Sequence, residues 1–452
     1  MLDIKLLREN PQIVRKSQKE RGMSEKEVDV VINLDKQWRS LKEEVDKLRA
    51  KRNSVSKEIN EAKKSGKNAD NLMKEAKEIP QKLADKEKEM NELKEKRDNI
   101  LKEIPNIIDK SVPIGDASKN KVLKKYGKIE KLKFKPKDHA DILEALGLLD
   151  TKKASEVAGS RFYYLKGDLA RLNFAIISFA LDYLKGKGFT LIQPPYMLRK
   201  DVLAGAIPLA AFEEMIYKIE GEDLYLIGTA EHAINAYHMN EVLNPNILPL
   251  RYAGISPCFR KEAGSHGKDT KGIFRIHQFE KIEQFIFCKP EDSWKEFDLI
   301  LNNTVELFKA MEIPFRTVCL ASEDTGRVPI KTIDIEGWFP SQEAYRELGS
   351  CSNCTDYQAR RSNIKYQKGN EFDYINTLNN TAIATERAMV CIVDNHQQAD
   401  GSIKIPKALW PYTGFKEIKS KSKENKSGKK ESAKEEKSER PKTKKTEKKV
   451  KK

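Results

Sequence analysis

Two stretches decide the fold of this chain, and they read Arg260-Lys261-Glu262 and Phe274-Arg275-Ile276-His277-Gln278-Phe279. A polar loop containing Gly and Lys, 263–272, separates them, and we predict that it is a mobile hairpin tip. Side chains two residues apart share one face of a strand. As neighbouring strands, the stretches predict a charged face that carries Arg260, Glu262, Arg275, His277, Phe279 and Glu283. The opposite, apolar face would carry Phe274, Ile276 and Ile282.

The predicted charged face has the chemistry of a binding site for a polyanion with an aromatic base. Arginine guanidinium groups pair with phosphates in a forked geometry. A phenyl ring such as that of Phe279 offers a stacking surface for a purine. The alternative is a half-solvated antiparallel hairpin with surface ion pairs, and these residues alone leave it open.

Length and composition predict two or three domains for these 452 residues, 38% hydrophobic and 34% charged, with net charge +16. Residues 417–452 hold 16 Lys/Arg and 7 Asp/Glu with almost no apolar residue, which predicts a disordered basic tail. Six irregularly spaced cysteines do not suggest a disulfide framework. The sequence shows neither an apolar run long enough to span a bilayer nor a secretory signal. We therefore expect a cytoplasmic protein that does not enter a membrane.

An apolar seam predicts a helical arm in residues 1–110. From Val31 to Ala62, apolar positions recur at alternating spacings of three and four, and a similar seam runs from Leu72 to Ile104. The turn sequence Ser65-Gly66-Lys67-Asn68 between them predicts an antiparallel coiled-coil hairpin over about 25–104. Pro80 should kink the second helix or mark its restart. The arm could reach a distant site on a large partner, or it could be an oligomerisation coil.

Residues 111–416 predict an α+β domain, a mainly antiparallel sheet flanked by helices. Strand-like runs dominate the middle, with little strand–helix alternation. The predicted elements outside the two opening stretches are strands at 161–165, 190–192, 224–227, 316–320 and 331–336, a helix ending at Leu184, and a helix over 383–393.

Several sequence blocks, in order, resemble the seryl-tRNA synthetases among the class II aminoacyl-tRNA synthetases. The resemblance covers residues 1–416 and is nearer to the archaeal and eukaryotic sequences of the common, non-zinc type. The blocks are Gly188-Phe189 through Pro194-Pro195 (motif 1), Thr229-Ala230-Glu231, Phe259 through Gln284 (motif 2), 347–361 (ELGSCSNCTDYQARR), and Leu378 through Arg387 (motif 3).

The resemblance implies a serine–tRNA ligase that uses ATP and Mg²⁺. Serine and ATP would form seryl-adenylate and pyrophosphate, and the seryl group would pass to the 3′ end of tRNA(Ser), with tRNA(Sec) as a possible second acceptor. Arg260 and Arg387 would be the catalytic residues. The implied ATP site comprises Arg260, Lys261, Glu262, Arg275, Phe279, Glu347, Leu348, Gly349, Ser350 and Arg387.

The family match also implies how serine and the metal are held. The implied serine site is Thr229, Ala230, Glu231, Glu283 and Thr381. Glu347 and Ser350 would hold Mg²⁺ with ATP, since a carboxylate and a hydroxyl are hard oxygen ligands. Cys351 and Cys354 have CxxC spacing but no second matching pair, so no structural zinc is expected.

The implied assembly is a homodimer whose arm contacts the tRNA bound to the other subunit. The sequence departs from the family at Glu386, where a small residue usually precedes the arginine, and at Gly349, where serine is common. Two other functions stay open. One is a serine-activating ligase that loads a carrier protein, and the other is a non-enzymatic nucleic-acid-binding scaffold.

Overall fold

The computed structural model describes residues 1–262 and 271–419. The α-helices are α1 (Ile4–Glu9), α2 (Pro11–Glu20), α3 (Lys26–Lys64), α4 (Asp70–Glu103), α5 (His139–Leu146), α6 (Thr151–Ala158), α7 (Gly167–Gly186), α8 (Lys200–Ala206), α9 (Leu209–Phe212), α10 (Ala230–Tyr237), α11 (Ser293–Ala310), α12 (Tyr357–Ser362), α13 (Thr385–His396) and α14 (Trp410–Thr413). The strands are β1 (Lys121–Tyr126), β2 (Leu149–Asp150), β3 (Tyr164–Leu165), β4 (Thr190–Ile192), β5 (Met197–Leu198), β6 (Tyr225–Leu226), β7 (Val242–Leu243), β8 (Leu250–Phe259), β9 (Gln278–Cys288), β10 (Phe315–Cys319), β11 (Lys331–Phe339), β12 (Ala344–Thr355), β13 (Lys365–Lys368), β14 (Glu371–Tyr374), β15 (Asn376–Ala384), β16 (Ile403–Lys404) and β17 (Glu417–Ile418).

The N-terminal arm is a hairpin of α3 and α4, which confirms the prediction of a two-helix coiled coil. The predicted seam is buried at Val31, Leu41 and Val45 in α3 and at Leu83 in α4. Burial of this apolar stripe, rather than helix propensity, stabilises helices of this kind. Of the two outcomes predicted for Pro80, a kink or a restart, the restart is wrong because α4 continues through this residue.

A buried guanidinium group attaches the arm to the rest of the protein. Arg21, which follows α2, is 6% exposed. It donates hydrogen bonds to the carbonyl oxygens of Asn106, Thr325, Gly326 and Pro329 at 2.8–3.0 Å. Four carbonyl acceptors offset the cost of burying the charge and fix the root of the arm.

The body is built on an eight-stranded sheet in the order β1-β10-β11-β12-β15-β9-β8-β4. Every neighbouring pair is antiparallel except β4 with β8. The largest hydrophobic core draws apolar side chains from α7, α11, α13 and the central strands. The predicted α+β class with a mainly antiparallel sheet is therefore confirmed.

The two stretches that opened the sequence analysis are strands over only part of their length. β8 ends at Phe259 and β9 begins at Gln278, so 260–262 and 274–277 lie outside the strands. Glu262 has a φ of +49°, which a continued strand does not allow. The two-residue alternation therefore holds for Phe279 and Glu283 but fails before them. Most of the predicted mobile loop, 263–270, lies outside the described residues.

Three other predicted boundaries are corrected. The strand predicted over 161–165 is reduced to Tyr164–Leu165, because Arg161 has a φ of +62°. The helix predicted from 383 begins at Thr385, since the two residues before it complete β15. Glu417 and Ile418 pair with β16, so the ordered chain extends past the predicted start of the tail. Tail residues 420–452 lie outside the described residues.

Candidate active site

A cavity opens on the face of the sheet formed by β9, β12 and β15. Alternate residues of β9 point toward it, which places Phe279 and Lys281 in its wall and Glu283 below them. The lining residues are Arg260, Glu262, Ile273, Phe274, Arg275, Ile276, Phe279, Lys281, Glu347, Leu348, Gly349, Thr381, Ala384, Glu386 and Arg387.

One wall combines a guanidinium group, a phenyl ring and an ion pair. The guanidinium carbon of Arg260 lies 5.3 Å from the centre of the Phe279 ring, and Arg260 Nε donates to the Gly228 carbonyl at 3.2 Å. Arg275 pairs with the Glu262 carboxylate at 2.9 Å. The backbone carbonyl of Glu262 accepts from Arg161 at 2.9 Å. The structure thus brings Arg260, Glu262, Arg275 and Phe279 together as predicted.

The opposite wall is built around Arg387 at the start of α13. Its guanidinium group pairs with the Glu347 carboxylate at 3.2 Å and lies 5.1 Å from the centre of the Phe274 ring. Arg387 lowers the pKa of Glu347, whose side chain is 47% exposed. Phe274 was predicted on the apolar face. Phe274 and Ile276 belong to the main core but also line the cavity, because 271–277 is not extended and does not alternate.

A chain of buried polar contacts continues below the cavity. Lys281 forms an ion pair with Glu283, and these side chains are 8% and 1% exposed. Glu283 accepts from the Thr229 hydroxyl at 3.1 Å, and Lys281 donates to the Thr381 hydroxyl at 3.4 Å. The structure therefore connects Thr229, Glu283 and Thr381 as the sequence predicted, through a lysine that it did not predict.

Glu231, in the first turn of α10, lies in the same polar floor. Its carboxylate accepts from Gln358 at 2.7 Å and from Asn379 at 3.0 Å. Burial, and then the nearby Glu283, raise the pKa of Glu231 to about 7. Thr229 caps α10 by accepting from the Glu231 amide at 3.3 Å, which holds both residues in place.

A bulge in β12 places the two predicted metal ligands on one face. Gly349 pairs with Ile335 but Glu347 pairs with Glu336, so Leu348 is the extra residue. Glu347 and Ser350 therefore project on the same side, and the Ser350 hydroxyl donates to Asp334. Burial, and then Glu347, raise the pKa of Asp334 well above its usual value. An exposed carboxylate beside a hydroxyl fits a magnesium ion shared with phosphates.

Some predicted site residues have other surroundings. Lys261 is absent from the cavity lining, and its ammonium group lies 5.8 Å from the ring of Tyr217. Leu348 lines the cavity while its side chain packs in the main hydrophobic core, and Ala230 is buried in a second core. The departure to glycine at 349 has a packing reason, since a Cβ there would lie 2.9 Å from Thr381 Cβ.

Glu386, the other departure, does not pair with Arg387. Its buried carboxylate accepts from the Tyr163 hydroxyl at 2.5 Å and from the Glu280 amide at 3.0 Å. Burial raises the pKa of Glu386 to about 7. Glu386 therefore ties the segment before α7 to the start of α13, a contact between residues 223 positions apart in sequence.

Sequence reasoning missed two residues that shape the cavity, Lys281 and His139. Lys281 lies between Phe279 and Glu283 on β9, so the alternation that found those two could have found it. His139, in the first turn of α5, accepts at Nε2 from the Ile273 amide at 3.2 Å and so holds the end of the loop. His139 and Ile273 are far apart in sequence, so no local pattern predicts this contact.

The two cysteines of the CxxC sequence belong to different cores. Cys351 lies in the main core, and Cys354 lies in the core at the root of the arm and accepts from Asn379 at 3.4 Å. In residues 1–262 and 271–419, no group of three or more His, Cys, Asp or Glu is arranged to hold a metal ion.

Two family models and several relatives match the chain. A model described as "Seryl-tRNA synthetase N-terminal domain" matches residues 1–108, and "tRNA synthetase class II core domain (G, H, P, S and T)" matches 215–396. The serine–tRNA ligase of Pyrococcus abyssi is 48% identical over 443 residues, covering 92% of this chain and 97% of the relative. The chain belongs to the seryl-tRNA synthetase family. The family, the reaction class and the serine–tRNA ligase assignment predicted from sequence are thereby confirmed.

Solved structures of this family share the whole architecture. The Pyrococcus horikoshii seryl-tRNA synthetase complexed with ATP has a TM-score of 0.89 at 47% identity, covering 92% of this chain and 99% of that chain. The cytoplasmic enzyme from Naegleria fowleri in complex with AMP has a TM-score of 0.84 at 39% identity, covering 93% and 99%. Among residues 1–262 and 271–419, none of the helices combines the length and the apolar composition of a membrane span.

Proposed function

We propose that the cavity forms seryl-adenylate and then transfers the seryl group to tRNA(Ser). The observation that carries this is the placement of Arg260 with Phe279 on one wall and Arg387 with Phe274 on the other. The serine carboxylate oxygen bonds to the α-phosphorus as the bond to pyrophosphate breaks. A terminal ribose hydroxyl of the tRNA then attacks the seryl carbonyl, loses its proton, and AMP leaves.

No protein nucleophile takes part, so catalysis is positioning and charge neutralisation. Arg260 meets the α-phosphate and the serine carboxylate. Phe279 stacks against the adenine, and Glu262 accepts a hydrogen bond from its amino group. Arg275 and Arg387 exchange their carboxylate partners for the outer phosphates. Lys261 and the backbone of 348–349 complete the proposed ATP site.

The polar floor is the proposed serine site. Carboxylates recognise the serine ammonium group and hydroxyl, which assigns these contacts to Glu231 and Glu283 with Thr229 and Thr381 beside them. Ala230 supplies backbone at the start of α10. An amino acid without the hydroxyl leaves buried polar groups unpaired, so we expect discrimination against alanine of roughly 10⁴-fold or more.

Magnesium is proposed at Glu347 and Ser350, where it would neutralise charge on the ATP phosphates when bound. Glu347 would leave Arg387 for the metal, and Asp334 keeps the Ser350 hydroxyl oriented by accepting its hydrogen bond. Before ATP and magnesium bind, the Arg387–Glu347 ion pair therefore gives each of these charges a partner.

The arm and a second subunit complete the proposed enzyme. In a homodimer the arm of one subunit would contact the tRNA bound to the other. β4 forms one edge of the sheet, and its Leu191 is 40% exposed. Phe174 on α7, a helix that contacts β4, is 59% exposed. Exposed apolar groups beside a free strand edge support pairing of two subunits there. Light scattering of the purified protein should give twice the mass of one chain.

Charged tRNA is used in translation, so the proposed location is the cytoplasm.

Serine-dependent exchange of pyrophosphate into ATP tests the proposal. A panel of amino acids should give exchange with serine and none with alanine. Absence of exchange would leave the nucleic-acid-binding scaffold as the function. Exchange without charging of tRNA(Ser) would favour the carrier-protein ligase, and tRNA(Sec) is tested in the same charging assay.

Shortening the arm separates the two steps. Replacing 45–85 with a short glycine-containing turn keeps the root contacts between Asp35 and Arg97. We expect normal exchange and loss of tRNA charging. Equal loss of both activities would contradict the proposed separation of roles.

A further inference from the structure

Residues 119–137 form a basic surface separate from the arm and the tail, which we call the basic ribbon. It holds nine lysines and one acid, Glu130, and all nine lysines are exposed. The ribbon includes β1 at the edge of the sheet opposite β4 and continues through 127–137. From 131 to 137, exposed lysines alternate with half-buried apolar residues, so the chain lies on the body with its charges turned to water.

Within the basic ribbon only Glu130 opposes the lysines, and two aspartates, Asp116 and Asp138, flank it in sequence. Among the described residues, none of its nine lysines forms an ion pair with Asp or Glu. The arm differs, since 26–103 contains 21 Lys/Arg and 18 Asp/Glu, a net charge of +3. Pairs such as Lys86–Glu44 at 3.0 Å also place opposite charges side by side along the arm. The ribbon, at +8 over 19 residues, therefore presents the stronger positive field.

The path of the ribbon leads from the sheet edge to the rim of the cavity. At its end, Lys137 and Gln397 exchange two hydrogen bonds, N–H to Oε1 at 2.9 Å and Nε2–H to the carbonyl at 3.1 Å. Two residues later, His139 accepts from the amide of Ile273, which lines the cavity. A polyanion whose end reacts in the cavity can therefore follow the ribbon outward.

We infer that the ribbon binds backbone phosphates of the tRNA being charged, as a contact separate from the arm. The inference rests on tRNA as the substrate. Lysine ammonium groups bind phosphates as point charges without reading bases, so this contact adds affinity and not sequence specificity. An anionic membrane is the weaker candidate, because Leu132, Phe134 and Pro136 are half-buried between the exposed lysines. The apolar residues that the ribbon does expose, Val122, Leu123 and Ile129, are few beside its nine lysines.

Four lysines outside β1 provide the test: K128Q/K131Q/K133Q/K135Q, with the same four changed to arginine as the matched control. Binding of full-length protein to tRNA(Ser) is measured by fluorescence anisotropy from about 50 to about 200 mM salt. At the lower salt the glutamine variant should bind about tenfold more weakly, and its log–log salt slope should fall by about 3 to 4. The arginine variant should bind as the wild type does.

Unchanged affinity and slope in the glutamine variant would overturn the inference. Equal weakening in the arginine variant would also overturn it, because charge would then not be the cause. Binding to phosphatidylserine vesicles that is lost in the glutamine variant, with tRNA binding intact, would assign the surface to membranes. Serine-dependent exchange by the wild type is measured in parallel, so failure of the proposed function is seen separately.

Discussion

A lysine–glutamate pair in the arm and another under the cavity have the same chemistry but very different exposure to solvent. Lys86 and Glu44 link the arm helices, with side chains 40% and 52% exposed. Lys281 and Glu283 lie on one strand, with side chains 8% and 1% exposed. Exposed pairs contribute about 0–1 kcal/mol, whereas removing one member of a buried pair costs about 3–5 kcal/mol.

This difference in exposure indicates which region depends on its charged side chains for stability and activity. The arm is stabilised by its apolar seam, so its surface charges are free to vary or to meet a partner. The cavity holds its charges in fixed positions out of water, where each has a particular partner. Charge changes should therefore be large in effect at the cavity and small along the exposed part of the arm, beyond the buried Asp35–Arg97 pair at its root.

The largest expected effect is on activity, from Arg260→Ala. Arg260 is held by the Gly228 carbonyl and Phe279 beside the proposed reaction centre. Loss of one prepositioned charged donor should lower the rate of serine-dependent exchange about 10³-fold. The measurement is kcat/KM in the pyrophosphate exchange assay.

Arg251→Ala is the matched control for that change. Arg251 lies on β8 and pairs with the buried Glu296 at 2.7 Å, away from the cavity lining. Its loss should lower stability while the folded fraction keeps its exchange rate. Similar rates for the two variants would show that position in the cavity does not matter.

Lys281→Met should have the largest effect on stability. It leaves the Glu283 carboxylate buried without its cation, so the free energy of unfolding should fall by about 3–5 kcal/mol in urea titrations. Lys86→Met in the arm should change it by less than about 1 kcal/mol. Adding Glu283→Leu to Lys281→Met should recover stability, and equal losses at the two lysines would refute the contrast.

The sequence predicted those features that depend on short-range periodicity. The seams of α3 and α4 repeat along the chain, and Phe279 and Glu283 alternate on β9, so both were found. Phe274 was misplaced because the chain leaves the strand before Gln278 and alternation no longer applies. The partners Tyr163–Glu386 and His139–Ile273 are brought together only by the complete fold, and no local pattern encodes them.

Glu386→Gln tests how a buried carboxylate at the cavity affects the pH dependence of stability. Burial raises the pKa of Glu386 to about 7, above the value of about 4.3 for an unfolded glutamate. The folded state therefore binds this proton more tightly, and stability falls as pH rises from about 4.3 to about 7. Replacement should remove this slope, improving stability relative to wild type by about 3 kcal/mol more at pH about 8 than at pH about 4. Urea titrations of wild type and variant across this pH range measure the slope, and an unchanged slope in the variant would contradict the prediction.

The smallest expected effect comes from Gly272→Ala. Comparison with Gly369→Ala distinguishes backbone strain from a lost contact at the cavity rim. Gly272 and Gly369 have φ values of +75° and +63°, so alanine is strained at both. A Cβ at Gly272 would lie 2.0 Å from His139 Nε2, while one at Gly369 meets nothing within 4 Å. Gly272→Ala should displace His139 from the Ile273 amide and raise KM for ATP about tenfold, with KM for serine unchanged. Gly369→Ala should change neither constant. An equal rise in the serine KM of Gly272→Ala would mean that the whole cavity loosens, and that His139 does not position the ATP wall in particular.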